Sequence, residues 1–271
     1  MEYLQYAFFR NALLGIIIIS IAGGIIGTYI ITRRLVSITG GITHACFGGL
    51  GVGYYLGISP VAMASVFAVA SSLSVEWISH RYHVREDSAI AVIWALGMAV
   101  GILFVFMTPG YVPELNGFLF GNILTITSSD LWAFSIFTGV LLVFVLFCNK
   151  PIIACAFDSD FAKVSGLRVR LVNYAMTVFV AVCVVLTIRL VGIMLLIALL
   201  TLPILIAETW VRRFTSIMVS SVAISAATSL GGLMLSTLGD VPCSAIIVLL
   251  QVAVYAVARV GKDIAMRRSM Q

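Results

Sequence analysis

Charge is what this sequence has least of. Of its 271 residues only 10% are Asp, Glu, Lys or Arg, whereas 62% are hydrophobic. Soluble domains carry about 25% charged residues, so a soluble globular fold is excluded, and no polar stretch is long enough to form a soluble domain of its own. The five cysteines are odd in number and make no CxxC pair. Cys148, Cys155 and Cys183 lie in or beside apolar runs and read as small hydrophobes, so neither a disulfide framework nor a zinc knuckle is indicated. The GxxxxGK[ST] phosphate loop, HExxH and GxSxG are all absent. The chain therefore has no P-loop of its own and no catalytic constellation. A cleaved leader is also not indicated: the apolar run 11–31 is too long for a signal core, and Arg33-Arg34 lie on its far side.

What is there in abundance is apolar sequence of membrane-crossing length. A hydrocarbon core of about 30 Å needs roughly 20 helical residues. Apolar runs between Gly/Pro breaks and charges give candidate spans at 11–31, 37–57, 60–78, 88–107, 131–148, 173–189, 191–207, 215–236 and 243–260. The sixth and seventh are joined only by a tight Arg189–Gly192 turn. The expectation is an all-α, polytopic membrane helix bundle with eight to nine transmembrane helices, forming one transmembrane domain over residues 1–271.

Sidedness follows from the basic residues. With the first span running from outside to inside, fourteen of the sixteen Lys and Arg fall on the inner side, leaving Arg10 and Arg189 outside. The opposite orientation would put those fourteen outside. Acids sharpen the contrast: Glu2, Glu114, Asp130 and Asp240 are outside, against seven inside. The net charge of +5 therefore reflects sidedness and the partner of this surface is membrane lipid, with no nucleic acid implied. A mildly acidic outer mouth favours cations.

Glycines repeat every four positions at Gly49, Gly53 and Gly57, and again at Gly23/Gly27 and Gly97/Gly101. Such rows let helix backbones approach closely in lipid; ordinary packing, a moving gate or a dimer seam would each use them.

Ionisable groups inside a bilayer cost on the order of 2.5–3.5 kcal/mol on insertion scales, so each is a functional candidate. His44 lies ten residues past Arg34, about 15 Å along a helix, near the midplane of the second span. Thr43 precedes it, and Gly40-Gly41 could interrupt the helix there. It reads as a pathway residue or as a neutral core histidine. Asp240 falls near the outer boundary just before Pro242, where a carboxylate suits a helix N-terminus. It reads as a cap or as an oxygen ligand at an outer mouth. His44 with Asp240 suits borderline metals such as zinc or manganese, and Cys243 is three residues beyond Asp240. His80 and His83, in the basic inner loop HRYHVRED, read as solvated.

The longest inner connection, about 149–173, contains FDSDFAKVSGLRVR. Asp158 and Asp160 open it, Gly166 breaks it, and Arg168 and Arg170 close it, which complements a helix dipole. Phe157 and Phe161 are spaced i,i+4 and would share one face of a short amphipathic helix. That helix would either lie on lipid or dock a soluble subunit.

With these segments in order, the chain resembles the permease subunits of ABC importers for zinc, manganese and iron. The strings are FFRNALLGIIIISIAGGIIGTYIITRRLVSITGGITHACFGGLGVGYYLG, REDSAIAVIWALGMAVGI, LFGNILTITSSDL, FDSDFAKVSGL, VGIMLLIALLTLPILIA and DVPCSAIIVL. Each alone is loose; six in the right order are specific. The resemblance implies one permease domain over 1–271 in the bacterial inner membrane, pairing with a second permease copy to form a pathway. It implies two cytoplasmic ABC ATPase subunits that carry the ATP, and an extracytoplasmic metal-binding protein that delivers a divalent ion. No tightly bound cofactor is expected. His44 would line the pathway, Asp240 would lie at its outer gate, and Phe157, Asp158, Asp160, Phe161 and Gly166 would belong to the ATPase contact. The family commonly has an aspartate four positions before the second-span histidine, and this sequence has Gly40 there, with Thr43 in place of a serine. A permease for a metal chelate such as haem, siderophore or cobalamin is the alternative; such importers usually have one more helix and a longer chain.

Overall fold

The computed structural model describes residues 5–109, 121 and 123–269. The expected outer acids Glu2 and Glu114, and most of the LFGN string, lie outside the described residues. Among those described there is no strand, and nine α-helices follow in order: α1 (Ala7–Thr32), α2 (Val36–Leu56), α3 (Pro60–Tyr82), α4 (Glu86–Met107), α5 (Ser128–Phe157), α6 (Ser159–Val164), α7 (Val169–Trp210), α8 (Phe214–Gly239) and α9 (Cys243–Ser269). Helix is what lipid demands of such sequences, because an unpaired backbone N–H or C=O in hydrocarbon costs several kcal/mol.

Seven of these helices are long and apolar enough to cross a membrane. α2 is not among them, since glycine, threonine and histidine dilute its 21 residues. α7 is 42 residues long, with a non-helical Gly192 inside it. At 1.5 Å per residue that is about 63 Å, roughly twice the hydrocarbon thickness. Counting α2 and both parts of α7 keeps the total within the expected eight to nine. Lipid also explains side chains that water would not tolerate in such number: Phe106, Phe147 and Leu146 are 90%, 85% and 76% exposed.

Local signals set the helix ends. Gly57 closes α2 in the left-handed conformation (φ 67°), its N–H returning to the carbonyls of Gly53 and Tyr54. Ser59 then caps α3 by accepting from the Ala62 N–H, with Pro60 at the first helical position. α5 opens with a capping box in which Thr127 and Asp130 bond each other's backbone or side chain. It passes the expected end at 148: Cys148 leaves helical geometry, Pro151 lies inside, and the apolar run to Phe157 resumes the helix. A proline removes one backbone donor and presses on the carbonyl four residues earlier, which accounts for a kink there.

The chain divides into two compact units. One comprises Thr32–Phe118 and Leu141–Arg189. Within it α2 packs against α4 and α3, and the contacts are backbone to backbone through glycine. A Cβ on Gly48 would lie 2.8 Å from the Gly97 carbonyl oxygen, and one on Gly51 would lie 2.5 Å from that of Gly101. On the α3 side, a Cβ on Gly49 would sit 2.5 Å from the Met63 oxygen, and one on Gly53 2.7 Å from Pro60 Cα. At one end, Arg33 bonds Glu86 at 2.8 Å and Ser37 donates to Asp87 at 2.7 Å. These acids in the first turn of α4 also suit its dipole.

The other unit comprises Met1–Ile31, Leu119–Val140 and Leu190–Gln271. α1 presents Gly24 to Val222 and Ser221 of α8, and Gly27 to Leu200 and Ile204 of α7. α8 turns a stripe of small and polar residues inward, namely Ser221, Ser225, Thr228, Ser229, Gly232 and Ser236. The fully buried Gln251 of α9 donates to Thr228 at 3.2 Å. Gly121 lies against the Val191–Gly192 backbone, where a Cβ would collide.

Gly192 has φ 78° and ψ 172°, a region essentially reserved for glycine. Gly192→Ala is therefore expected to destabilise the protein by about 1–3 kcal/mol. A lowered melting temperature in detergent would show it, and an unchanged one would contradict the assigned backbone.

Candidate functional site

His44 lies on one face of α2, half-buried, in the unit that also holds α3 and α4. Its ring stacks on the indole of Trp94 from α4, with centroids 4.3 Å apart and planes 27° apart. Gly40, one turn earlier, lies beneath the same indole: a Cβ there would be 3.1 Å from Trp94 Cζ3 and 3.3 Å from Cη2. The Gly40-Gly41 pair does not interrupt the helix, contrary to the sequence expectation. Both glycines serve close approach, Gly41 facing Ile90 with a Cβ distance of 2.6 Å. The neighbouring hydroxyls are absorbed by the helix itself, Thr43 donating to the Thr39 carbonyl at 2.6 Å and Thr39 to Val36 at 2.7 Å.

Asp240 is exposed and is the C-cap of α8 in the left-handed conformation (φ 51°, ψ 44°), its N–H returning to Ser236. Aspartate tolerates this region better than most residues. The turn is tied further by Ser236, whose hydroxyl donates to the Val241 carbonyl at 2.6 Å. Asp240 thus ends one helix, where the sequence suggested that it begins the next. Cys243, proposed as its neighbour, is the first residue of α9 and is buried. Asp240 belongs to the unit of α8 and α9, and His44 to the other. Among the described residues no group of three or more His, Cys, Asp or Glu side chains could hold a metal ion.

The three glycines singled out as a row divide their work. Gly49 and Gly53 admit α3, while Gly57 faces open space and supplies the left-handed cap. The contact with α4 runs through Gly48 and Gly51, which lie outside that row and three residues apart, so a four-residue repeat does not reveal it.

The segment expected at 149–173 is mostly helix, since α5 runs to Phe157 and α7 starts at Val169. Phe157 and Phe161 do not share one helix. Asp158 separates them, accepting from the N–H groups of Asp160 (3.0 Å) and Phe161 (2.9 Å) and thereby starting α6 anew. Both rings are nevertheless about two-thirds exposed, at 66% and 65%, and Val164 is 89% exposed. Gly166 ends the element with φ 79° and open space around it. Lys163 and Asp160 pair at 3.1 Å, both well exposed. Asp158→Ala removes the cap and is expected to cost α6 about 1 kcal/mol. Faster amide exchange confined to 159–165 would report it.

Two buried polar features escaped the sequence. Glu76 is only 4% exposed and sits 3.3 Å from His80 Nε2 without hydrogen-bond geometry. A histidine four residues after a glutamate on one helix was the available signal, hidden because His80 read as solvated. The Thr228–Gln251 pair was legible only as two polar residues in apolar runs.

Comparison with known proteins bears on the whole chain. The sequence profile of the ABC 3 transport family matches residues 5–262. The chain is 38% identical over 237 residues to a "Probable metal transport system membrane protein" of Chlamydia pneumoniae, covering 85% of this chain and 81% of that one. It is 29% identical over 258 residues to the "Manganese transport system membrane protein MntC" of Halalkalibacterium halodurans, covering 95% and 88%. Its fold superposes with a TM-score of 0.81 on a chain from PsaBC of Streptococcus pneumoniae in complex with Fab, at 24% identity, covering 95% and 94%. With its membrane-length helices and a match that runs almost end to end, the chain is a multi-pass membrane protein belonging to the ABC 3 transport family.

Proposed function

We propose that this chain is the membrane permease of an ATP-driven importer for a divalent transition metal, with manganese first and zinc and iron as competitors. The observation that carries the reading is the family match over residues 5–262, with relatives named for metal and manganese transport across most of this chain. The sequence contains no phosphate loop, so ATP belongs to a separate cytoplasmic ATPase pair. The exposed Phe157, Phe161 and Val164 around the α6 turn offer that pair an apolar contact. Residues 1–271 act as one permease domain, two copies form the pathway, and an extracytoplasmic binding protein supplies the ion.

In this reading His44 is a nitrogen donor along the path, and Asp240, exposed at the α8–α9 turn, is an oxygen donor near its outer end. A pair so sparse suits a conduit, which needs brief contacts and rapid release. The ion is cargo and is not a resident cofactor.

The test is uptake into proteoliposomes holding permease, ATPase and binding protein, with manganese, zinc and iron in competition. ATP-dependent accumulation of one of them is expected. Uptake of none, with uptake of a chelate such as haem, siderophore or cobalamin, would replace this reading with a chelate permease.

A further inference from the structure

We propose that Trp94 is a positioning residue for the transported ion: it holds the His44 ring by its face and leaves both ring nitrogens open to a passing divalent cation. The inference rests on the reading of His44 as a path residue.

The geometry separates the two surfaces of an imidazole. Its metal-binding lone pair lies in the ring plane, on whichever nitrogen carries no proton, while its faces carry only π density. Trp94 takes one face, at 4.3 Å and 27°. Among the described residues no hydrogen bond joins either His44 nitrogen to another group, so the in-plane positions remain unused. A histidine hydrogen-bonded at both ring nitrogens would have to break one of those bonds to accept a metal. A histidine held by stacking breaks nothing. Stacking also responds in the right direction: a cation on the imidazole draws electron density from its ring, and the electron-rich indole face then attracts it more strongly.

Trp94 is fixed from both sides along α4. One turn before it, Ile90 meets Gly41; one turn after it, Gly97 meets Ala45 so closely that a Cβ on Gly97 would lie 2.6 Å from Ala45 Cα. Gly40 completes the arrangement. Its missing side chain makes room for the six-membered ring of the indole, and even a methyl group would press on it at 3.1 Å. The element therefore offers nitrogen and an aromatic face, with no carboxylate at position 40. Such a donor set favours borderline transition ions over calcium or magnesium, which require oxygen ligands.

The test has an optical arm and a transport arm. The protein has four tryptophans; replacing Trp77, Trp132 and Trp210 by phenylalanine leaves Trp94 as the only indole of this chain, and the same complex carrying Trp94→Phe as well supplies the background emission of the partners. In the reconstituted complex, cobalt(II) is expected to quench the Trp94 emission saturably, and His44→Ala should abolish the saturable part. In uptake assays Trp94→Ala is expected to raise KM for the metal about tenfold, in line with losses at groups that orient metal ligands, with kcat changed less than twofold. Trp94→Phe, which keeps a stacking face, should recover most of that loss, and Gly40→Ala should imitate part of it. Quenching that never saturates, or that survives His44→Ala, overturns the proposal. So does an unchanged KM in Trp94→Ala when His44→Ala stops uptake, and in that case the path reading survives. If His44→Ala leaves uptake intact, the path reading falls and this inference falls with it.

Discussion

His44→Ala is expected to cut ATP-dependent metal uptake by at least about tenfold, while the protein still folds and inserts. The size follows from what is removed. Losing a group that merely orients a metal ligand typically costs 10–100-fold in affinity or activity, and in the proposed function His44 is the ligand itself. The stability loss should be small by comparison. His44 is half-buried and its main contact is the Trp94 face, an aromatic pair worth about 0.5–1.5 kcal/mol beyond burial. The discriminating readout is the pair of measurements together, initial uptake rate and detergent melting temperature, on one preparation. Lost transport with a nearly unchanged melt supports a path residue. A large drop in melting temperature would instead make His44 a packing residue, and unaltered uptake would remove it from the path.

Gly51→Leu is expected to have the largest effect on folding. Its Cβ would approach the Gly101 carbonyl oxygen at 2.5 Å and the Gly101 Cα at 3.0 Å. Both are backbone atoms of a facing helix, so no rotamer change can relieve the clash. Helices α2 and α4 would have to separate along a seam that also includes Gly48 against Gly97. Overpacking a tight core costs about 1–3 kcal/mol and occasionally more, and a seam without side chains lies at the upper end. The expected result is loss of most monodisperse protein on size-exclusion chromatography. Gly139→Ala is the control: nothing lies within 4 Å of its Cβ, and alanine exceeds glycine in helix propensity by up to about 1 kcal/mol. It should be neutral or stabilising. If both substitutions behave alike, the close α2–α4 approach is not what holds this unit together.

Much of the fold was legible because lipid leaves few choices. Long apolar runs must become helices, and charge, Gly and Pro must mark their ends. Gly192 was readable as a break for that reason, and the structure places it at the only non-helical residue inside α7. Asp158 shows the complementary failure. The i,i+4 spacing of Phe157 and Phe161 fits a continuous helix, but an aspartate whose carboxylate accepts two backbone N–H groups starts a new one instead. Asp240 failed in a similar way. Its position before Pro242 indicated an N-cap, yet the chain needed a left-handed residue to end α8 first.

The sequence by itself determined that this chain is a helical membrane protein and roughly how many helices it has. Those properties depend on composition and on spacing along one helix, and both are local. Only the tertiary structure decided which glycines matter to which neighbour, that Glu76 is buried, and that Trp94 covers His44 above Gly40. Those facts depend on which helix faces lie opposite one another. Outside the polar stripe of α8, most faces of these helices are apolar enough to meet either lipid or protein, so hydrophobic patterning carries little information about facing.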